Sequence, residues 1–143
     1  MIDANLASSS PEDAASKALE NAGSLTGKHL ILGTSKFEGL GLNAANINRA
    51  LDLAAASIIN VFPIDGLILT GGDTAEAVFK SLGVQSIKLN GEFEPGIPVG
   101  LIDTPRKMMV ITKAGGFGNE RTLLNAADYL RGSNASPTTM AIS

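Results

Sequence analysis

Short apolar runs and amphipathic segments alternate along most of the chain. Buried strands are predicted at Lys28–Gly33, Gly66–Thr70 and Lys107–Thr112. The second of these is apolar throughout, as is typical of a strand covered on both faces. A long amphipathic helix is predicted between Asn43, which can cap it, and Pro63, which ends it. The alternation predicts an α/β fold: a three-layer domain with a mainly parallel central sheet flanked by helices.

Further elements complete this pattern. Helices are predicted from Ser10 to Asn21, from Asp73 to Leu82 and from Asn119 to Arg131, each opened by a polar residue that can cap it. Strands are predicted over Val84–Leu89 and Val99–Ile102. The segment Asn90–Pro98 between those strands is rich in turn residues, and its prolines argue against a central strand.

The length of 143 residues predicts a single domain that covers residues 1–143 and buries a substantial core. The small and polar segments 1–9 and 133–143 are expected to be flexible ends.

The composition argues against several classes of function. A net charge of -3 argues against non-specific nucleic-acid binding, which needs a basic surface. There is no cysteine, so a thiolate metal site is excluded, and no metal-binding cluster of side chains is predicted. No apolar run reaches the roughly 20 residues of a membrane span, and no secretory signal precedes the first helix, so we expect a cytoplasmic protein without a membrane partner.

The first candidate site is the glycine turn that follows the strand ending at Thr70. Its residues Gly71, Gly72, Asp73 and Thr74 lead directly into a predicted helix. Free amides at a helix start bind anions, and glycine allows a phosphate to approach the backbone closely. Asp73 repels a phosphate, so it would cap the helix or hold a magnesium ion that bridges phosphates. A tight strand-to-helix turn with an aspartate cap explains the same residues equally well.

A second glycine turn follows the strand Lys107–Thr112. It places the cation of Lys113 beside Gly115 and Gly116, whose amides could form an anion nest. A surface loop with a solvated lysine is the alternative. Because the carboxyl ends of parallel strands meet at one edge of a sheet, we expect both turns to hold a single ligand between them.

Other chemical signals are weaker. His29 is the only histidine, and no partner for it is predicted. The segment Gly39–Ala44 fits a loose dinucleotide-binding pattern but lies too far after its strand, so a loop with a helix cap is preferred. Glu92 and Glu94 could form an acid–base pair, although solvated turn charges are the simpler interpretation.

Three motifs give the chain a family resemblance. Leu69–Ala75 (LTGGDTA), Gly91–Pro98 (GEFEPGIP) and Thr112–Gly118 (TKAGGFG) resemble, in order and spacing, the C-terminal nucleotide-binding domain of the four-carbon acid sugar kinases. The resemblance covers roughly Lys28 to Leu130. Members of that family use ATP to phosphorylate the terminal hydroxyl of sugar acids such as threonate, erythronate or 3-oxo-tetronate.

The resemblance implies a site and its ligands. Gly71, Gly72, Asp73 and Thr74 match a turn that contacts ATP, and Gly115 matches a second contact. The neighbouring Lys113 and Gly116 complete the expected site. ATP is expected as its Mg²⁺ complex.

The family also has an N-terminal domain that binds the sugar acid, and nothing in these 143 residues resembles it. We therefore expect the sugar acid to come through a separate domain or subunit and the chain to be inactive alone. Whether it is a fragment, a truncated gene product or a subunit of a split enzyme is left open, as is its oligomeric state. A non-catalytic module that binds a nucleotide or a phosphorylated metabolite is the alternative function.

Overall fold

A computed structural model of the chain describes residues 1–23, 29–35, 41–104, 106–133 and 139–142. The helices in these residues are α1 (Ala4–Ser9), α2 (Pro11–Gly23), α3 (Ala44–Val61), α4 (Gly72–Ser81) and α5 (Thr122–Ser133). The strands are β1 (His29–Leu32), β2 (Gly66–Thr70), β3 (Ile87–Glu94), β4 (Ile97–Asp103), β5 (Lys107–Lys113) and β6 (Thr139–Ile142).

The strands form one mixed sheet in the order β1-β6-β2-β5-β4-β3. The strands β1, β6, β2 and β5 run parallel to one another, whereas β4 is antiparallel to both β5 and β3. The parallel part agrees with the predicted α/β fold. The antiparallel part is a hairpin added at one edge, which the sequence pattern did not predict.

Helices cover both faces of the sheet, and the alternation of residues along β2 shows how. Leu67 and Leu69 belong to the core beneath α3 and α4, whereas Ile68 faces Ala126 and Leu130 of α5. All three strand residues are almost fully buried, which accounts for the continuously apolar sequence of this strand. The predicted three-layer arrangement is therefore confirmed.

Both chain ends contribute to the fold, which corrects the expectation that 1–9 and 133–143 are flexible. Near the N-terminus, the side chain of Asp3 caps α1, and Ile2 is 1% exposed and forms a parallel bridge with Thr34. Near the C-terminus, β6 lies inside the sheet between β1 and β2. The prediction failed because both segments are short and draw their stability from tertiary contacts rather than from their own pattern. Residues 134–138 and 143 lie outside the described residues.

The expectation that Asn90–Pro98 is a segment of turns without a central strand is wrong as well, because its two ends belong to the strands of a hairpin. Only Pro95 and Gly96 separate β3 from β4. Pro98 is tolerated in β4 because the ladder with β5 begins one residue later, at the pair Val99 and Ile111. β3 is the outer strand, and its register with β4 shifts twice.

The long helix begins and ends as predicted. The side chain of Asn43 accepts a hydrogen bond from the amide of Asn46, and α3 ends just before Phe62. At that end, the guanidinium of Arg106 donates to the carbonyls of Ile59 and Phe62 at 3.0 and 3.1 Å. A cation there also complements the negative end of the helix dipole. No helix in the described part of the chain has the length and apolar content that crossing a bilayer requires.

Asp52 on α3 makes stability depend on pH. Partial burial raises the pKa of its carboxyl from 3.8 to about 6. The folded state therefore holds this proton more tightly than the unfolded state, so the ionised carboxyl destabilises the fold fully above about pH 6, and this penalty is lost progressively as the pH falls from about 6 to 3.8. Asp52→Asn should raise the free energy of unfolding by about 1 kcal/mol near neutral pH, a figure reduced for the solvent that still reaches the group.

Urea unfolding at about pH 7.5 and about pH 4.5 measures this effect, with Glu20→Gln as a control that removes an exposed carboxylate. An equal gain at both pH values would contradict the assignment to Asp52.

Candidate functional site

The two glycine turns meet at one rim of the sheet, as their positions after parallel strands predicted. β2 and β5 are adjacent, and their last residues, Thr70 and Lys113, are register partners. The amide of Gly71 continues the ladder by donating to the carbonyl of Lys113 at 2.9 Å. The first residue of one turn is thus tied directly to the strand end from which the other turn leaves.

The first turn opens α4 without a side-chain cap. Gly71 is the N-cap, with φ at 96° and ψ at 136°, and no side chain bonds to the first amides of the helix. The predicted cap by Asp73 is therefore wrong, because the helix starts one residue earlier, at Gly72. Asp73 instead lies exposed in the first turn, where the helix dipole favours a carboxylate. The amides of Gly72, Asp73 and Thr74 have no partner within the helix and remain available to an anion.

The second turn leaves β5 at Lys113. The chain folds back through a bond from the amide of Phe117 to the carbonyl of Ala114 at 3.2 Å. The ammonium of Lys113 lies over its own loop, where it donates to the carbonyls of Ala114 and Gly115 at 3.4 Å. Bonds of that length are weak, so the ammonium can leave these carbonyls at little cost for an anion in the rim.

The glycines of the two turns fall into two groups. Gly71 and Gly118 have φ values of +96° and +80°, which side chains other than glycine rarely adopt. Gly72, Gly115 and Gly116 have no such value, and a Cβ added to any of them meets no atom within 4 Å. The fold therefore explains the first group, but sterics within the chain do not explain the second.

A cleft of about 590 Å³ opens at this rim. Its lining residues are Gly71, Gly72, Ala75, Glu76, Phe79, Val84, Ile87, Gly96, Pro98, Thr112, Lys113 and Ala114. Of the predicted site residues, Gly71, Gly72 and Lys113 line the cleft. Asp73 and Thr74 follow in the first turn of α4, whereas Gly115 and Gly116 lie on the adjoining loop outside the lining.

Sequence reasoning missed the apolar wall of this cleft. One face of α4 contributes Ala75 and Phe79 at helical spacing from Gly72. Val84, between α4 and β3, and Ile87, the first residue of β3, continue the wall. The only signal was the 3-and-4 spacing along α4. That spacing alone does not tell a cleft-lining face from a core-facing one.

The motif Gly91–Pro98 supports the second glycine turn. The ring of Phe117 packs onto Gly96 so closely that a Cβ at Gly96 would lie 2.4 Å from the ring. On the α5 side, the hydroxyl of Thr122 donates to the carboxylate of Glu94 at 3.0 Å and accepts from the amide of Asn119 at 2.8 Å. Glu94 is therefore engaged in a structural bond rather than in an acid–base pair with Glu92.

The last helix begins later than its predicted cap. Asn119 was expected to open the helix, yet α5 starts at Thr122. The side chain of Asn119 instead accepts from the amide of Arg121 at 2.8 Å and so forms a turn before the helix.

The other sequence candidates lie away from the rim or outside the described structure. His29 is the first residue of β1, as predicted, and Gly39 of the loose dinucleotide pattern falls outside the described residues. Within the described ranges, no three His, Cys, Asp or Glu side chains gather in a group that could hold a metal ion.

With this geometry in view, comparison with known proteins gives the family. Residues 2–123 match the family described as nucleotide-binding C-terminal domain. The chain belongs to this family. The match begins at residue 2 rather than near Lys28, so the first two helices are part of the family's domain.

The curated relatives are sugar-acid kinases. The D-threonate kinase of Salmonella typhimurium is 40% identical over 86 residues, which cover 59% of this chain and 20% of the kinase. The D-threonate kinase of Bordetella bronchiseptica is 37% identical over 93 residues, which cover 64% of this chain and 23% of the kinase. The 3-oxo-tetronate kinase of Pseudomonas savastanoi is 27% identical over 94 residues, which cover 66% of this chain and 22% of the kinase. These names confirm the resemblance to four-carbon acid sugar kinases, although the chain spans only about a fifth of their length.

A solved structure agrees with the fold. A crystal structure of a domain of unknown function from Bordetella bronchiseptica, a domain-swapped dimer with bound citrate, superposes with a TM-score of 0.76. It is 27% identical, and the match covers 89% of this chain and 33% of the other. The α/β arrangement described above is thus found in a crystallised relative.

The two glycines of the first turn should respond differently to the same substitution. Gly71→Ala forces a Cβ onto a residue with φ at 96° and should lower the free energy of unfolding by about 1–3 kcal/mol. Gly72→Ala, at a position where a Cβ meets no atom, should leave stability within about 0.5 kcal/mol of the parent or raise it. Urea unfolding of the matched pair measures both. Equal losses for the two variants would contradict the φ assigned to Gly71.

Proposed function

We propose that this chain is the ATP-binding portion of a kinase that phosphorylates a four-carbon sugar acid. The observation that carries the proposal is the meeting of two glycine turns at one rim of the sheet. There, the free amides of α4 and the ammonium of Lys113 border the same cleft. The family and the kinase relatives support the same assignment.

The glycines that the fold leaves unexplained support a polyphosphate ligand. Gly72 lines the cleft, and Gly115 and Gly116 stand on the loop beside it, all with open space where a side chain would project. Such positions let a phosphate reach the backbone amides without meeting a Cβ. Asp73 would contact the phosphates only through the Mg²⁺ that accompanies ATP.

The apolar wall gives the nucleotide base a place in the same cleft. Phe79, Val84 and Ile87 line the cleft together with the phosphate-binding groups of the rim. A volume near 590 Å³ lies within the usual range of small-molecule sites, about 300–1,000 Å³. The triphosphate would then lie on the glycine turns and the base against this wall.

The proposed reaction is direct transfer of the γ-phosphoryl group to the terminal hydroxyl of the sugar acid. Catalysis of this transfer depends mainly on positioning and on neutralising charge, which backbone amides and Lys113 supply. The acceptor and its base would come from a separate domain or subunit. Because the D-threonate kinases of Salmonella typhimurium and Bordetella bronchiseptica are 40% and 37% identical to this chain and the 3-oxo-tetronate kinase of Pseudomonas savastanoi is 27% identical, D-threonate is the first acceptor to test.

Gly72→Val tests nucleotide binding. The added side chain would project from the first residue of α4 into open space beside the cleft. We expect the dissociation constant for ATP with Mg²⁺ to rise about tenfold or more, a loss of about 1.4 kcal/mol, because a phosphate can no longer reach the amides. Isothermal titration calorimetry measures the constant, and thermal unfolding verifies that the variant is folded.

Gly132→Val is the matched control, since it adds the same side chain at another open helical position, on α5. If Gly72→Val binds ATP as tightly as the parent and Gly132→Val do, the phosphates do not lie on the first glycine turn.

A transfer assay tests the kinase assignment itself. The chain is mixed with the sugar-acid domain of a four-carbon acid sugar kinase, and ADP release is followed with D-threonate or 3-oxo-tetronate as acceptor. We expect acceptor-dependent ADP release, and a fall of about tenfold or more for Lys113→Ala because a cation near the phosphates is lost. ATP binding without any transfer would favour the non-catalytic module.

A further inference from the structure

We propose that Glu94 and Thr122 are positioning residues that hold the second glycine turn at the phosphate end of the cleft. This inference rests on the proposed function and adds to it a route by which the hairpin of β3 and β4 controls phosphate binding. Neither residue lines the cleft.

The second glycine turn has little support of its own. Residues 114–121 are exposed, and neither Gly115 nor Gly116 has an atom within 4 Å of the position of a Cβ. Within the turn, the amide of Phe117 bonds to the carbonyl of Ala114, and the ammonium of Lys113 makes only long contacts. A loop with these features needs anchors at its ends if its amides are to keep a fixed position.

The start of the loop is anchored at the rim. The carbonyl of Lys113 accepts from the amide of Gly71, which joins the loop to the turn before α4. This bond fixes where the loop leaves the sheet, but it does not fix where the loop goes next.

The far end of the loop is anchored by a buried hydroxyl. Thr122 is 1% exposed, and its hydroxyl bonds both to the carboxylate of Glu94 and to the amide of Asn119. Gly118 brings the chain so close to this hydroxyl that a Cβ there would lie 2.5 Å from it. Removing the hydroxyl would leave a carboxylate and an amide without this partner at a partly buried site.

The hairpin supplies a second contact to the same loop. Its tip residue Gly96 lies against the ring of Phe117, which is 49% exposed, so the ring covers the hairpin rather than filling a core. Glu94 and Gly96 therefore hold the glycine turn from one side while Gly71 holds it from the other. The position of the amides of Gly115 and Gly116 relative to α4 then depends on the hairpin.

This arrangement predicts an effect on phosphates that spares the base. The proposed wall for the base lies on α4, at Val84 and at the first residue of β3, whereas the hydroxyl of Thr122 bonds to Asn119 and to Glu94 at the opposite end of β3. Thr122→Val should raise the dissociation constant for ATP with Mg²⁺ by about tenfold while that for adenosine changes by less than about twofold. A variant that merely loosened the fold would weaken both ligands together.

Conservative variants at both positions sharpen the test. Thr122→Ser keeps the hydroxyl, and Glu94→Gln keeps an oxygen that can accept from it, so both should bind ATP within about threefold of the parent. Glu94→Ala, which removes the acceptor, should resemble Thr122→Val. All four variants and the parent are titrated with ATP·Mg²⁺ and with adenosine by calorimetry, and thermal unfolding confirms that each is folded.

The outcomes separate this inference from the proposed function. A parent that binds ATP tightly together with a Thr122→Val variant that binds it as tightly overturns the positioning role alone. Equal losses of ATP and adenosine affinity in Thr122→Val also overturn it, since they show a general structural effect. If the parent binds neither ligand, the proposed function fails and this inference fails with it.

Discussion

The in-register parallel pairing of β2 and β5 is the constraint on which the site depends. Thr70 lies beside Lys113 only in this register, and a slip of one residue would put Ile68 and Ile111 on opposite faces of the sheet, so that one of them would leave the core under α5. The packing of the core therefore also fixes the distance between the two glycine turns. The geometry of the rim is in this sense a consequence of ordinary hydrophobic burial rather than of contacts made within the rim.

The sequence predicted those helices and strands whose own residues carry a clear hydrophobic pattern. β2 is apolar on both faces, and α3 has a capping residue and apolar residues at helical spacing along its 18 residues. Both elements were therefore predicted with nearly the observed bounds. α1 and β6 were not predicted, because six and four residues are too few for a periodic signal. Their stability comes from neighbours that no local window contains.

In the candidate site, too, features set by local sequence were predicted and features set by tertiary structure were not. The two glycine turns could be predicted, because a turn after a strand is a local signal. The predicted cap by Asp73 failed because glycine at the cap position and aspartate two residues later, in the first turn, both suit a helix start, and only the φ of Gly71 shows which residue the helix uses. The wall formed by Phe79 and Ile87 depends on which strand lies beside which. That order follows from the antiparallel hairpin, and the prolines of the hairpin argued against it.

The division of the glycines connects the fold to the proposed function. A fold needs glycine where φ is positive or where a neighbour leaves no room, as at Gly71 and Gly96. It does not need glycine where a Cβ would meet nothing, as at Gly72 and Gly115. Glycine costs conformational entropy on folding, and under the proposed function its use at open positions on both sides of one rim lets a ligand approach the backbone. Phosphoryl transfer is a reaction in which such an approach, held in a fixed geometry, provides most of the catalysis.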